Sequence, residues 1–441
     1  MRRDPPHMMI EAINTMSNLD NTDSSKQVAL VAPARRTITE YFAKRSPFSH
    51  WEKVRMRVPL LPLARMIFTC LGMLLLVVLQ AERGNAQTYQ VLYSFMGGID
   101  GISPRAGVVR DATGNLYGTT EMGGAFGDGV VFKLDTANNE TVLHSFAGSP
   151  SDGSQPWSPV TRDAAGNIYG TTYVGGQYEL GTIFKLDPAG QQTILHHFGG
   201  ITRNDGGAPF AGVLRDRSGN LYGTALEGGS GGWGVVFKLD ATGQLTLLHD
   251  FRGDEGAQPH AGLVHDKAGN LYGAAEFGGT FDFGVVYRIG PTGTYSVLHS
   301  FDDQRGSLPY GGVIRDRSGN LYGTTVVGGA FHQGVVFKLA ATGEYTVLHT
   351  FRTSDGAQPQ SSLVRDSAGN LYGTTVLGGA AGAGVIFKVD SAGNYTVLHH
   401  FNGQDGEGPY GDLIRDSMGN LYGTTYEGGA FDHGVVFKLT P

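Results

Sequence analysis

Residues 114–120 read GNLYGTT, and the string returns as GNIYGTT at 166–172, GNLYGTA at 219–225, GNLYGAA at 269–275, and GNLYGTT again at 319–325, 369–375 and 419–425. With its asparagine as marker, the copies stand at Asn115, Asn167, Asn220, Asn270, Asn320, Asn370 and Asn420, spaced 52, 53, 50, 50, 50 and 50. A period near ~50 residues belongs to propellers and related arrays. Within each copy the order is Asp, two variable residues, Gly-Asn, then an apolar residue and Tyr-Gly. The Asp and Asn suit a tight loop whose side chains bond nearby backbone amides, and the first Gly can take a positive φ. The seven tyrosines are expected to pack between repeats, and the Gly after each to leave room for a neighbouring ring.

One unit, residues 362–401, separates into SLVRD, NLYGTT, GVIFKVD and YTVLHHF, four short β-type runs divided by turn residues, with no helical period anywhere. Four strands per repeat with no edge to spare point to a β-propeller. The termini agree. The last unit stops at GVVFKLTP without its TVLHSF strand, while TYQVLYSF at 88–95 stands unpaired ahead of the first unit. The expected fold is all-β: a seven-bladed propeller with four strands per blade, closed by strand 88–95 completing the last blade.

Composition fits this reading and removes others. Glycine supplies 69 of 441 residues, roughly twice ordinary usage, but without a collagen period. The 40% hydrophobic content is too high for a disordered chain. Cys70 is the only cysteine, so no intrachain disulfide or cysteine metal cluster forms. Residues 88–441 carry 21 Lys and Arg against 33 Asp and Glu, a net charge of −12. Nucleic acid is therefore not an expected partner.

The front of the chain reads as an address. An uncharged run from Met66 to Leu79 follows Arg55, Arg57 and Arg65 and precedes small residues at Gly84 and Ala86, the order of a secretory signal. Fourteen such residues are short for a membrane span. The expected organisation is a leader or over-extended start at 1–55 with the natural start at Met56, a signal peptide or signal anchor at 56–87, and the propeller at 88–441. The protein is expected in the extracytoplasmic space as a single copy, touching a membrane only through an uncleaved signal anchor.

The strings GNLYGTT, GGAFGDGVVFKLD and TVLHSF recur in fixed order, and with them the chain resembles the GloVer-type, or choice-of-anchor, tandem-repeat proteins over essentially all of residues 88–441. The phrase GLVRDSAGNLYGTT type is also similar to the looser NHL propeller repeat. The resemblance implies an exported, surface-associated protein without an assigned biochemical role. Related proteins carry a C-terminal anchoring tail; this chain ends at Pro441 on its last strand, so release is the expectation.

Position in a propeller decides which repeated residues can cooperate. Histidines His144, His197, His249, His299, His349 and His399 recur in the outer strand, where equivalents in adjacent blades stand more than ~15 Å apart, too far to share one ion. The innermost strands carry Arg110, Arg162, Arg215, His265, Arg315, Arg365 and Arg415, each followed by Asp. They line a channel that holds an anion, or they pair with neighbouring carboxylates or stand exposed at the channel's end. The residue after each loop proline varies: Arg105, Trp157, Phe210, His260, Tyr310, Gln360 and Tyr410. These seven converge near the axis on one face, as a ligand-reading surface would, or serve loop packing beside proline. Loop tips at Trp233, Phe281, Phe283, His332, Asp432 and His433 extend that face, and Glu121, Glu227, Glu276 and Glu427 are its carboxylates.

No Ser-His-Asp signature, nucleotide motif or metal-ligand cluster stands out, so no catalytic residue, metal or cofactor is assigned. The expected function is a non-catalytic binding or scaffold module for a glycan, peptide or cell-surface partner at the axial face. The alternatives are an extracellular glycan hydrolase or lyase using carboxylates there, and a purely architectural spacer.

Overall fold

The computed structural model describes residues 87–440. The expected leader at 1–55 and export signal at 56–87 lie, apart from Gln87, outside the described residues. Seven four-stranded antiparallel sheets form the blades of a propeller. Blade 6 shows the unit: Val364–Arg365 innermost, then Leu371–Thr375, Val385–Val389 and, outermost, Tyr395–His400. In blade 7 the outermost place is taken by Thr88–Ser94, which pairs antiparallel with Val435–Thr440. The N-terminal strand thus closes the ring. Among the described residues the one helical element is the single turn Gly200–Thr202.

The core lies between blades. Among the described residues seven apolar clusters occur, each joining two neighbouring blades. The closing one joins Phe95, Tyr422 and Val436 to Val108, Leu116, Val130 and Phe132. Because both faces of a blade pack against neighbours, the third strands read as an unbroken apolar run, and Val130, Val131 and Phe132 are all fully buried.

The repeated string is consumed by this packing. Asp111 Oδ1 accepts from the backbone N–H of Asn115 and of Thr113, while Oδ2 accepts from the Asn115 side chain and the Tyr117 hydroxyl. These donors hold the Asp111 carboxyl far below the usual range despite its burial. Gly114 sits in the turn at φ +103°, where an L side chain is strained. Tyr169 of blade 2 packs with Val213, Leu221 and Phe237 of blade 3. A Cβ on Gly170 would stand 2.6 Å from Phe184 Cζ, so glycine is what lets that ring lie flat across its strand.

Candidate functional site

The residue before each loop proline aims the next side chain at the axis. Ser103, Gln155, Ala208, Gln258, Leu308 and Gln358 have φ between +52° and +56°, and Gly408 has +61°. This conformation is costly for residues other than glycine, and a following proline disfavours it further. Two backbone hydrogen bonds hold it. The Gln258 N–H donates to the Trp233 carbonyl of the preceding blade, and its carbonyl accepts from the Glu276 N–H of its own blade; the same pair of bonds recurs in all seven blades. The proline then seats on the glycine that ends the preceding blade's loop: a Cβ on Gly384 would lie 2.8 Å from Pro409 Cδ and 2.3 Å from the Thr375 carbonyl oxygen.

The consequence is one cup. Arg105, Trp157, Phe210, His260, Tyr310, Gln360 and Tyr410 all line a single axial cavity of about 450 Å³, within the ~300–1,000 Å³ of small-molecule pockets. Below them small residues such as Gly107, Gly212, Gly262 and Gly312 keep the waist open. The rings interlock: Phe210 meets Trp157, His260 and Tyr310 edge-on at centroid distances of 5.4, 4.8 and 5.8 Å, and His260 stacks on Tyr310 at 3.9 Å. Arg105 lies across the mouth, its guanidinium carbon 4.7 Å from the Trp157 ring, 5.2 Å from Phe210 and 5.0 Å from Tyr410.

A second tier, sixteen residues further along each blade, supports the first. Tyr173 stacks under Trp157 at 3.8 Å, Tyr426 meets Tyr410 at 5.5 Å, Glu121 stands 3.8 Å from Arg105, and Glu276 is 2.7 Å from His260 Nε2. The sequence reading grouped Glu121 and Glu276 with Glu227 and Glu427, and the structure separates them: chain alternation turns Glu227 and Glu427 to solvent, while Glu121 is buried beneath the cup. Tyr173 and Tyr426 were missed there; the signal was the chemical matching of residues at this spacing, Trp with Tyr, His with Glu, Arg with Glu.

Charge in the cup is unusual. Burial raises the Glu121 carboxyl above its ordinary value, offset in part by the Arg105 charge and by the Tyr426 hydroxyl and Trp157 indole that face it. Burial also raises the phenols of Tyr310 and Tyr410, so both remain neutral donors. Asp412 is the acid at the waist; its exposed atoms face the cavity, and being enclosed by protein raises its carboxyl although it accepts the Ser362 N–H at 2.6 Å. At the cup three of the buried side-chain atoms lack a hydrogen-bond partner: Glu121 Oε2, Trp157 Nε1, which faces the carboxyl without closing a bond, and His260 Nδ1.

The profile of the Gloeobacter/Verrucomicrobia repeat matches residues 78–264, 190–367 and 342–441. The chain belongs to that family. No curated protein matches its sequence. Among solved structures it is similar to the extracellular domain of a one-component system of B. thetaiotaomicron, with a TM-score of 0.52 and 11% identity over 79% of this chain and 39% of that one. The extracellular domain of a hybrid two-component system from the same organism is comparable, at 0.51 and 14% over 80% and 41%. At such identities the likeness concerns the fold alone, and this family member spans about two fifths of the length of either.

At the opposite end of the channel the family's repeated arginines fold sideways. Arg162 lies 4.0 Å over the Tyr117 ring of the preceding blade, and Arg110, Arg215, Arg315 and Arg365 cover Tyr422, Tyr169, Tyr272 and Tyr322 at 5.3 to 5.9 Å. Arg162 also stands 3.8 Å from Asp111 and Arg215 3.9 Å from Asp163. Arg415 is near enough to Tyr372 of the preceding blade for its charge to act on the phenol, while His265 turns instead to the Asp266 carbonyl. The arginine contacts join blade to blade.

In the outer strands the equivalent of His144 in blade 2 is His196, which pairs with Ile183 and reaches Asp205 at 3.1 Å, whereas His197 faces the other way and accepts the Gln177 N–H. The expectation of His197 at that place is therefore corrected. His249, His299, His349 and His399 stack on Tyr295, Tyr345, Tyr395 and Tyr89 of the next blade at 3.7 to 4.0 Å. Of the loop tips, Trp233, Phe281 and Phe283 are exposed. Asp432 caps its own loop through the Gly428 N–H, and His332 stands 3.7 Å from Asp303.

Proposed function

We propose that this protein is an exported binding module that takes a small ligand, part apolar ring face and part hydroxyl, in the axial cup without transforming it. The observation that carries the reading is the set of three unpartnered buried atoms beside the cup: Glu121 Oε2 accepts, Trp157 Nε1 donates, and His260 Nδ1 accepts in the neutral tautomer. An unpaired buried polar group costs about 1–3 kcal/mol, so three at one site favour completion by a ligand. Hydroxyls, which donate and accept, fit that mixed set. The aromatic rings beside them suit an apolar ring face.

Binding is favoured over glycan hydrolysis because the carboxylates are engaged or averted. Glu276 is bound to His260, Glu227 and Glu427 face solvent, and Asp412 at the waist accepts the Ser362 N–H, so of the four glutamates expected at this face only Glu121 is left unengaged. The signal-like segment at 56–87 supports export, as does the occurrence of the fold in extracellular domains. The full chain with Trp51→Phe and Trp233→Phe leaves Trp157 as the sole tryptophan. Its emission is expected to change saturably with a sugar or short-peptide ligand, and Tyr310→Ala is expected to abolish the change. A panel of neutral and acidic sugars and peptides that leaves emission and titration heat unchanged would overturn the reading.

A further inference from the structure

We infer that the ligand of the axial cup carries a carboxylate, read by Arg105, on a hydroxylated ring: an acidic sugar of the uronic acid class. The inference rests on the binding-module reading and names its ligand. Arg105 is the one residue of the ring of seven with a permanent positive charge, and it is held in place by three aromatic faces from blades 2, 3 and 7. Its five N–H groups make no hydrogen bond to the described protein. The nearest carboxylate oxygen, Glu121 Oε2, is 3.8 Å away, well beyond the ~2.7–2.9 Å of a formed charge-assisted bond. A guanidinium fixed by its faces with its edge unspent is the geometry that receives a planar oxyanion through two parallel bonds.

Other ligand chemistries fit less well. A cationic ligand would want the aromatic faces, but Arg105 already occupies them and would repel it. A neutral sugar would satisfy Trp157, Glu121 and His260 yet leave the guanidinium edge unpaired at the centre of the mouth. A bare carboxylate such as acetate would take Arg105 and leave those three atoms unpaired. A ring bearing both groups is the smallest ligand that completes the set. Glu121 does not fill the guanidinium edge, since at 3.8 Å its oxygen lies beyond hydrogen-bond distance.

The test is calorimetric titration of the full chain with galacturonate, glucuronate, galactose, glucose and acetate, for wild type, Arg105→Gln and Arg105→Lys. A uronate is expected to bind about tenfold or more tightly than its neutral counterpart, the worth of a charge-assisted pair, with acetate giving no measurable heat. Arg105→Gln is expected to bring the two sugars within about threefold of each other, and Arg105→Lys, which keeps the charge but not the fork, to retain an intermediate preference. Unchanged melting of the variants would show that they fold. Equal binding of neutral and acidic sugars by the wild type overturns the acidic ligand while leaving the binding module standing. A uronate preference that survives in Arg105→Gln overturns the role of Arg105. If no sugar binds, the acidic-sugar inference falls, while the binding module falls only if the peptides of the wider panel are silent as well.

Discussion

Replacing Glu140 with Gln should make the protein more stable at pH 8 and leave it nearly unchanged at pH 4.5. In blades 4 to 7 the start of the outer strand carries a tyrosine whose hydroxyl donates to a backbone carbonyl of the loop connecting its blade to the preceding one, as Tyr295 does to Glu255 and Tyr89 to Asp405. Blade 1 has Glu140 there, at the seam where the ring closes onto blade 7, and it meets Asp100. Asp100 is buried and well served, accepting from the Tyr93 hydroxyl and from the N–H groups of Met96 and Gly98. Glu140 Oε1 is buried without a partner. Burial first, and the Asp100 charge second, push the Glu140 carboxyl from 4.5 up to about 7.

The sign follows from linkage: an acid whose folded value is raised binds its proton more tightly when folded, so stability is lost as pH rises from about 4.5 to about 7 and stays lost above. The whole shift would be worth roughly 3 kcal/mol at 1.36 kcal/mol per unit; because the group is only partly buried, we discount this to about 1–2 kcal/mol. Urea unfolding of wild type and Glu140→Gln at pH 4.5, 6 and 8 measures it. The difference between the two proteins isolates Glu140 from His249 and His299, whose shifts run the other way. A difference that is flat with pH, or a variant less stable than wild type at pH 8, would refute the reasoning.

Burial holds His249 and His299 down at about 4, so as depressed bases they contribute stability above about 6.5 that is lost as pH falls toward 4. His299→Phe, which keeps the stack on Tyr345, should narrow the loss between pH 7 and pH 5 by about 1 kcal/mol after discounting for exposure, and an unchanged gap would contradict this. Gly423→Ala would place a Cβ 2.6 Å from Phe437 Cζ and 2.9 Å from Leu413 Cδ2, and should cost about 1–3 kcal/mol by urea midpoint; a cost within error of zero would show that the blade can yield. Tyr89→Ala removes the stack on His399 and the bond to the Asp405 carbonyl, and should cost about 3–5 kcal/mol and speed proteolysis at the N-terminal strand, whereas Tyr89→Phe should cost about 1 kcal/mol.

What was legible in the sequence divides along physical lines. The blades were readable because a repeated turn and a missing last strand are statements about the backbone, and Thr88–Ser94 sits against Val435–Thr440 as that pattern requires. The first ring of the cup was readable because proline punctuates it. Its cause was not: an X-Pro pair ordinarily reads as extended, and nothing in Gln258, Leu308 or Ala208 signals a positive φ that two inter-strand hydrogen bonds impose. Nor does the sequence say where a long side chain folds, so the repeated arginines, apparently aimed at the axis, lie instead on the preceding blade's tyrosines. The distinction has a functional meaning. What the copies share is used up in building the ring: the tyrosine, and the arginine of every blade but the fourth, between blades, and the turn aspartate and the glycine after the tyrosine within one. Only the positions that each blade fills differently, Arg105 against Gln360, Trp157 against His260, are left over once those contacts are made. An axis that seven near-identical units must share can recognise an asymmetric ligand through such differences alone, and that is why the cup's chemistry is concentrated where the repeat breaks its own rule.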